Sequence, residues 1–61
     1  MAYTTYTKSD IIRCTKSLIA NNQDRLNLLH SETLADVRRA RSLSKAEVIE
    51  LHWEVYHTLN D

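Results

Sequence analysis

Residues 42–48 read Ser42-Leu43-Ser44-Lys45-Ala46-Glu47-Val48, and they mark the one firm boundary in the chain. Ser44 and Glu47 have the spacing of a capping box. The serine hydroxyl takes an orphan N–H of the first helical turn, and the glutamate reaches back to the cap. Leu43 and Val48 stand where a hydrophobic staple closes over that turn. A helix is therefore expected from Lys45 to about Leu59. On it Val48, Leu51, His52, Val55, Tyr56 and Leu59 share one face, and Ile49 and Trp53 extend it sideways. At 100° per residue this face spans roughly 200°, wider than the usual core stripe. One neighbouring helix does not cover it. Either two neighbours do, or part of the face is a binding surface.

Upstream of Ser42, the absence of glycine and proline matters most. These residues are the main punctuation of local structure, so helix ends must come from caps and packing. Ile11, Thr15, Leu18, Asn22, Leu26, Leu29, Thr33, Val37 and Ala40 recur at three- and four-residue spacings, and Ile12 and Ile19 widen the stripe. This is one amphipathic helical face. Ser9 or Thr7 can cap its start, with Asp10 favourable in the first turn. The spacing predicts a long helix over residues 9–41, a turn at 42–44 and a second helix over 45–59. Asn21-Asn22 and Ser31-Glu32-Thr33 are soft points, being poor helix formers or new caps. The stripe keeps phase through both, which favours continuity; a break at either is the alternative.

Such a helix would be about 50 Å long at 1.5 Å per residue. A compact monomer of this chain length is only about 27 Å across. The second helix covers less than half of the first, so a continuous helix implies a second copy. The expected architecture is a single all-α domain over residues 1–61, assembled as an intertwined homodimer. Its core would hold Ile11, Leu18, Leu26, Leu29, Val37, Val48, Leu51, Val55 and Leu59. Residues 2–7, rich in tyrosine and threonine, favour a strand. They read either as a strand paired with the same segment of another copy or as a frayed terminus.

Charge and composition narrow the function classes. Formal net charge is zero, so no global field draws the chain to nucleic acid or membrane. The charge is divided, however. Residues 8–41 carry seven basic and four acidic side chains, net +3, and residues 44–61 carry Lys45 against Glu47, Glu50, Glu54 and Asp61, net −3. Opposite charge favours packing one segment on the other, although exposed pairs contribute little each. The single cysteine, Cys14, precludes an intrachain disulfide and suits a reducing cytoplasm. No stretch approaches a membrane span, and no signal-peptide pattern stands at the start. The expected location is cytoplasmic, and in a host cytoplasm if the protein is viral.

Chemical signatures are few. His52 and His57 lie about 140° apart on a helix and do not converge on a metal. Glu54 and His57 form one Glu-x-x-His pair, where a bundle di-metal site needs two pairs and two further glutamates. Cys14 lies at the margin of the stripe with no histidine–carboxylate pair placed to activate it, so it reads as a small hydrophobe. A glycine-rich phosphate loop is impossible without glycine. The expectation is a protein that is not an enzyme and uses no cofactor and no metal. Ile49, Trp53 and Tyr56 are the candidate partner-binding residues, because tryptophan and tyrosine add large contact area with a polar tip.

Residues 33–48, Thr33-Leu34-Ala35-Asp36-Val37 through Ser44-Lys45-Ala46-Glu47-Val48, resemble the helix-turn-helix of lactose-repressor-type transcription regulators. The resemblance implies that Lys45, with Ala46, reads bases and that Arg38, Arg39 and Arg41 touch phosphate. Arg38 replaces the family's small buried alanine and Ser42 its turn glycine. Glu47, Glu50 and Glu54 on the would-be reading helix repel phosphate. In layout, with a short chain, a Tyr/Thr start and helices without a cofactor motif, the protein also resembles the early-region accessory proteins of lambdoid temperate bacteriophages. That resemblance implies a viral early protein acting on host physiology or lytic development through protein contacts. The favoured function is thus protein–protein interaction with a host or viral partner. The alternative is a small DNA-binding regulator.

Overall fold

The computed structural model describes residues 5–60. It contains three α-helices, α1 (Lys8–Ala20), α2 (Ser31–Arg38) and α3 (Lys45–Asn60), joined through 3₁₀ turns at Gln23–Leu28 and Ala40–Ser42. The all-α class holds. Residues 2–7, read as either a strand or a frayed terminus, lie mostly outside the described residues, and Thr5, Tyr6 and Thr7 form no strand.

Each helix start follows from local chemistry. Of the two candidate caps, Thr7 takes the role. The Asp10 N–H donates to Thr7 Oγ1 at 3.1 Å, and the Thr7 N–H donates to Asp10 Oδ2 at 3.4 Å. The box at α3 forms as its spacing predicts: the Glu47 N–H donates to Ser44 Oγ at 3.2 Å, and the Ser44 N–H to Glu47 Oε1 at 3.0 Å. The Ser44 N–H and the Ser44 hydroxyl, both donating to the carboxylate, hold the Glu47 carboxyl below its ordinary pKa, and the nearby Arg39 adds to the effect.

The continuous helix over 9–41 is not present. It breaks at both soft points. At Asn21–Asn22 the side chains replace the ladder: Asn22 Nδ2 donates to the Leu18 carbonyl at 2.8 Å, and Gln23 Nε2 to the Ile19 carbonyl at 3.0 Å. Those carbonyls would otherwise receive the backbone N–H groups of residues 22 and 23. The amide side chains thus terminate α1 without a glycine, and Asn22 leaves helical geometry at φ −132°, ψ 43°. The second break comes at Leu29 and His30, both extended, with His30 in the cap position and Ser31 as the first residue of α2. The turn before α3 is also longer than 42–44. α2 ends at Arg38, and Lys8 Nζ donates to the carbonyls of Arg41 and Leu43 at 2.8 and 2.9 Å. This ammonium ties the start of α1 to the α2–α3 connection.

α3 lies at the centre. α1 packs most extensively against it, with α2 and the Gln23–Leu28 turn covering further parts. The wide apolar face is therefore shared among several neighbours of the same chain. Val48, Val55 and Leu59 are at most 1% exposed, and Leu51 and His52 are buried with them. Ile11, Ile12, Leu29, Val37 and Ala40 complete the core, with Leu18, Leu26 and Ile49 partly buried against it. The nine residues expected to form a dimer core thus lie in or against the core of one chain. The molecule measures 30 × 23 × 15 Å, close to the ~27 Å expected of a monomer this long. The long helix from which a second copy was inferred is absent.

The stripe nevertheless keeps its inward direction. Its polar members are satisfied by specific partners. Thr15 Oγ1 donates to the Ile11 carbonyl at 2.8 Å and meets His52 Nδ1 at 2.9 Å. The Thr33 hydroxyl donates to the Glu54 carboxylate. Arg25 Nη1 donates to the Leu59 carbonyl at 2.8 Å, docking the first 3₁₀ turn on the end of α3. Leu59→Ala should therefore lower stability by about 2–5 kcal/mol through transfer loss and a cavity. A urea titration followed by circular dichroism checks this, and a midpoint unchanged from the wild type would contradict the burial.

Candidate functional site

The charge that cancels over the sequence is separated in space. Between α2 and α3 lies a depression of about 210 Å³ lined by Asp36, Glu47, Glu50 and Glu54, together with Arg39, Leu43 and Leu51. Arg39 donates from Nε to Asp36 Oδ1 at 3.0 Å and pairs with the same carboxylate through Nη2 at 3.0 Å. On the α1 side lies a second depression of about 220 Å³, lined by Ser9, Ile12, Arg13, Lys16 and Arg41. The four residues expected to contact DNA are therefore divided. Arg39 sits among carboxylates, Arg41 faces the α1 cations, Arg38 is exposed and Lys45 is half-buried. The exposed part of α3 carries Ala46, Glu47, Glu50 and Glu54.

A third, larger depression, open and about 410 Å³, runs between α1 and α3. Arg13, Cys14, Ser17, Leu18 and Asn21 line it from α1, and His52 and Tyr56 from α3. Its walls are mostly apolar, and the volume falls in the range of sites that hold small ligands or anchor side chains. Sequence reasoning expected Ile49, Trp53 and Tyr56 to act together. Tyr56, 40% exposed, lines this groove. Trp53 stands behind it, half-buried, and Ile49 packs against the core. The α1 half of the groove was not foreseen. Apart from Leu18, which the stripe marks as core, its residues are small or polar and leave no hydrophobic signal until α3 is placed beside them.

The rings along α3 form a connected ladder. Trp53 and Tyr56 meet edge-on with centroids 5.6 Å apart, and Trp53 stacks on His57 at 5.6 Å with 27° between planes. His52 contacts both Trp53 and Tyr56, at 5.7 and 6.4 Å. These contacts hold Tyr56 in place while leaving part of its ring in solvent.

His52 is the buried polar group of the groove. The single hydroxyl proton of Thr15 goes to the Ile11 carbonyl, so His52 carries its proton on Nδ1 and donates to Thr15 Oγ1. Burial lowers its pKa below the ordinary imidazole value. The two remaining histidines, His30 and His57, are exposed. Among the described residues, no group of three or more His, Cys, Asp or Glu side chains is placed to hold a metal ion. Among the same residues, no helix is long and apolar enough to cross a membrane. Cys14 is an exposed thiol at the groove's α1 edge.

The chain matches no protein-family model, no curated protein and no solved structure.

The lowered His52 pKa has a defined consequence for stability. The unfolded imidazole binds its proton at a higher pH than the folded one, so stability rises with pH through this window. The contribution is complete above the ordinary value of about 6.5 and is lost as the pH falls toward the lowered folded value. Urea midpoints should drop between pH 7.5 and 5.5 in the wild type and change less in His52→Gln. Equal slopes in the two proteins would assign the pH dependence elsewhere.

Proposed function

We propose that this protein acts by binding another protein through the groove between α1 and α3. The observation that carries the proposal is the exposed Tyr56 ring in an open, mostly apolar depression, braced from behind by Trp53 and His57. A braced tyrosine adds contact area at little cost in side-chain entropy, which is why such residues dominate interface energetics. The groove is open rather than enclosed, which suits an inserted side chain or helix face better than a small substrate. The partner is a host or viral protein, in keeping with the layout shared with phage early-region accessory proteins. In that role the protein would alter host physiology or lytic development by occupying its partner.

A DNA-binding regulator would need Arg38, Arg39, Arg41 and Lys45 on one acid-free face. Arg39 lies instead against Asp36 and beside the α3 glutamates. Under the protein-binding reading, chemical cross-linking in a bacterial host should trap a partner with the wild type. Tyr56→Ala should lose that product while keeping its helical circular dichroism. A sequence-specific gel shift at physiological salt, undiminished by Tyr56→Ala, would overturn the reading.

A further inference from the structure

The basic depression beside α1 is a site apart from the groove. Ser9, Ile12, Arg13 and Lys16 follow one another at helical spacing along one flank of α1, and Arg41 joins them from the 3₁₀ turn at Ala40–Ser42. Lys16 lies about 160° around the helix from Leu18, and only the exposed Arg13 lines both depressions. Ile12 is buried and gives the depression an apolar floor. Lys16 and Arg41 have no carboxylate within ion-pair distance among the described residues. Arg13 reaches Asp10 only at 3.7 Å, with its side chain 77% exposed, and the Asp10 carboxylate also takes the Thr7 N–H in the cap. Arg41 comes from a distant part of the sequence. The Lys8 ammonium holds it beside α1 by binding the carbonyls of Arg41 and Leu43. Arg13 and Lys16, three residues apart on the helix, repel one another, and Arg41 adds a third cation. A cleft lined by one sign of charge over an apolar wall focuses its field and concentrates anions.

We propose that this cleft binds a small oligophosphate, free or carried on a nucleotide. It offers one guanidinium from α1, Arg13, and one from the 3₁₀ turn, Arg41, with the Lys16 ammonium and the Ser9 hydroxyl beside them. Each guanidinium presents a fork of N–H donors that matches phosphate oxygens. Two forks, an ammonium and a hydroxyl outnumber the roughly four lone-pair sites of one carboxylate. A phosphate group brings three acceptor oxygens and a charge of about −1.5 to −2, and a second phosphoryl group supplies the charge that three cations still call for. The depression, about 220 Å³, is smaller than the ~300–1,000 Å³ of sites that enclose drug-sized ligands, so the group it seats is compact. The acidic depression between α2 and α3 has no lining residue in common with it, so the α3 glutamates do not line the cleft. A nucleic-acid strand fits less well, because the cationic surface is short. Ser9 to Lys16 is about 10 Å of helix, and past Arg41 the chain presents Arg39 paired with Asp36 beside the α3 glutamates. The proposal does not depend on the groove reading.

Isothermal titration calorimetry on the full chain, at fixed ionic strength, tests it with pyrophosphate as the probe. Pyrophosphate should bind saturably and about tenfold more tightly than citrate, a tricarboxylate of comparable charge. Lys16 and Arg41 are exposed, so the Lys16→Gln, Arg41→Gln double variant should keep its helical circular dichroism and lose about tenfold or more in affinity. Arg41→Lys, which keeps the charge and loses the fork, should also weaken binding, and it decides the matter if the double variant loses helicity. Tyr56→Ala should leave pyrophosphate affinity unchanged, and weakening by that change would overturn the separation of the two sites. Adenosine diphosphate that binds as tightly as pyrophosphate, and is lost in the same variant, supports the proposal with the phosphates carried on a nucleotide. Adenosine diphosphate that binds more weakly supports it with a free oligophosphate as ligand. Equal affinity for citrate would overturn the phosphate class. Pyrophosphate binding that survives in the folded double variant, or the absence of saturable binding at millimolar concentration, would overturn the site. Random-sequence duplex DNA that displaces pyrophosphate at equal phosphate concentration, and does so through Lys16 and Arg41, would overturn the small ligand in favour of nucleic acid.

Discussion

The structure depends on covering the apolar face of α3. A face about 200° wide cannot be buried by one helix packed alongside, because a single neighbour covers a narrower stripe. The chain therefore has to present several segments to α3. It does so by breaking what its periodicity suggests is one long helix. α1, the first 3₁₀ turn and α2 each bring part of their apolar face to α3 from a different direction. The stripe from Ile11 to Ala40 still points inward along its whole length. A 3.6-residue pattern records which way each residue faces and not whether the backbone between them is continuous.

Terminating helices without glycine or proline requires other donors. At the end of α1, Asn22 and Gln23 supply side-chain amides to the Leu18 and Ile19 carbonyls, which have lost the N–H four residues on, while the Asn22 N–H closes a tighter turn onto Ile19. At the α2–α3 connection, Lys8 binds the carbonyls of Arg41 and Leu43, and the Ser42 hydroxyl joins its own N–H on the Arg39 carbonyl. These are polar contacts made at helix ends, and two of them span more than thirty residues of sequence. They give a chain with few apolar side chains to spare a way to hold its segments together, which suits a domain near the lower size limit for independent folding.

The same contacts position the surface. Lys8 holds Arg41 beside α1, and Thr15 fixes His52 at the floor of the groove next to Tyr56. The result is a molecule of zero formal net charge with a cationic and an anionic depression that share no residue. Charge balance over the whole chain excludes a uniform field but says nothing about local ones.

The sequence by itself determined the α3 boundary, through Ser44 and Glu47, and the inward direction of nearly every core residue. It also marked Asn21-Asn22 and Ser31-Glu32-Thr33 as soft points, while the unbroken periodicity favoured continuity through both. A cap is read within four residues and a helical face within a dozen, so neither needs the rest of the molecule. Tyr56 was legible as a candidate contact, because an aromatic at the edge of an overwide face stands out. The break at Asn22, the basic cluster of Arg13, Lys16 and Arg41, and the α1 wall of the groove were decided by tertiary structure alone. Continuity and breakage at Asn22 preserve the same periodicity. The choice between them lies in how much of α3 each arrangement buries, a quantity that exists only once the segments are packed together.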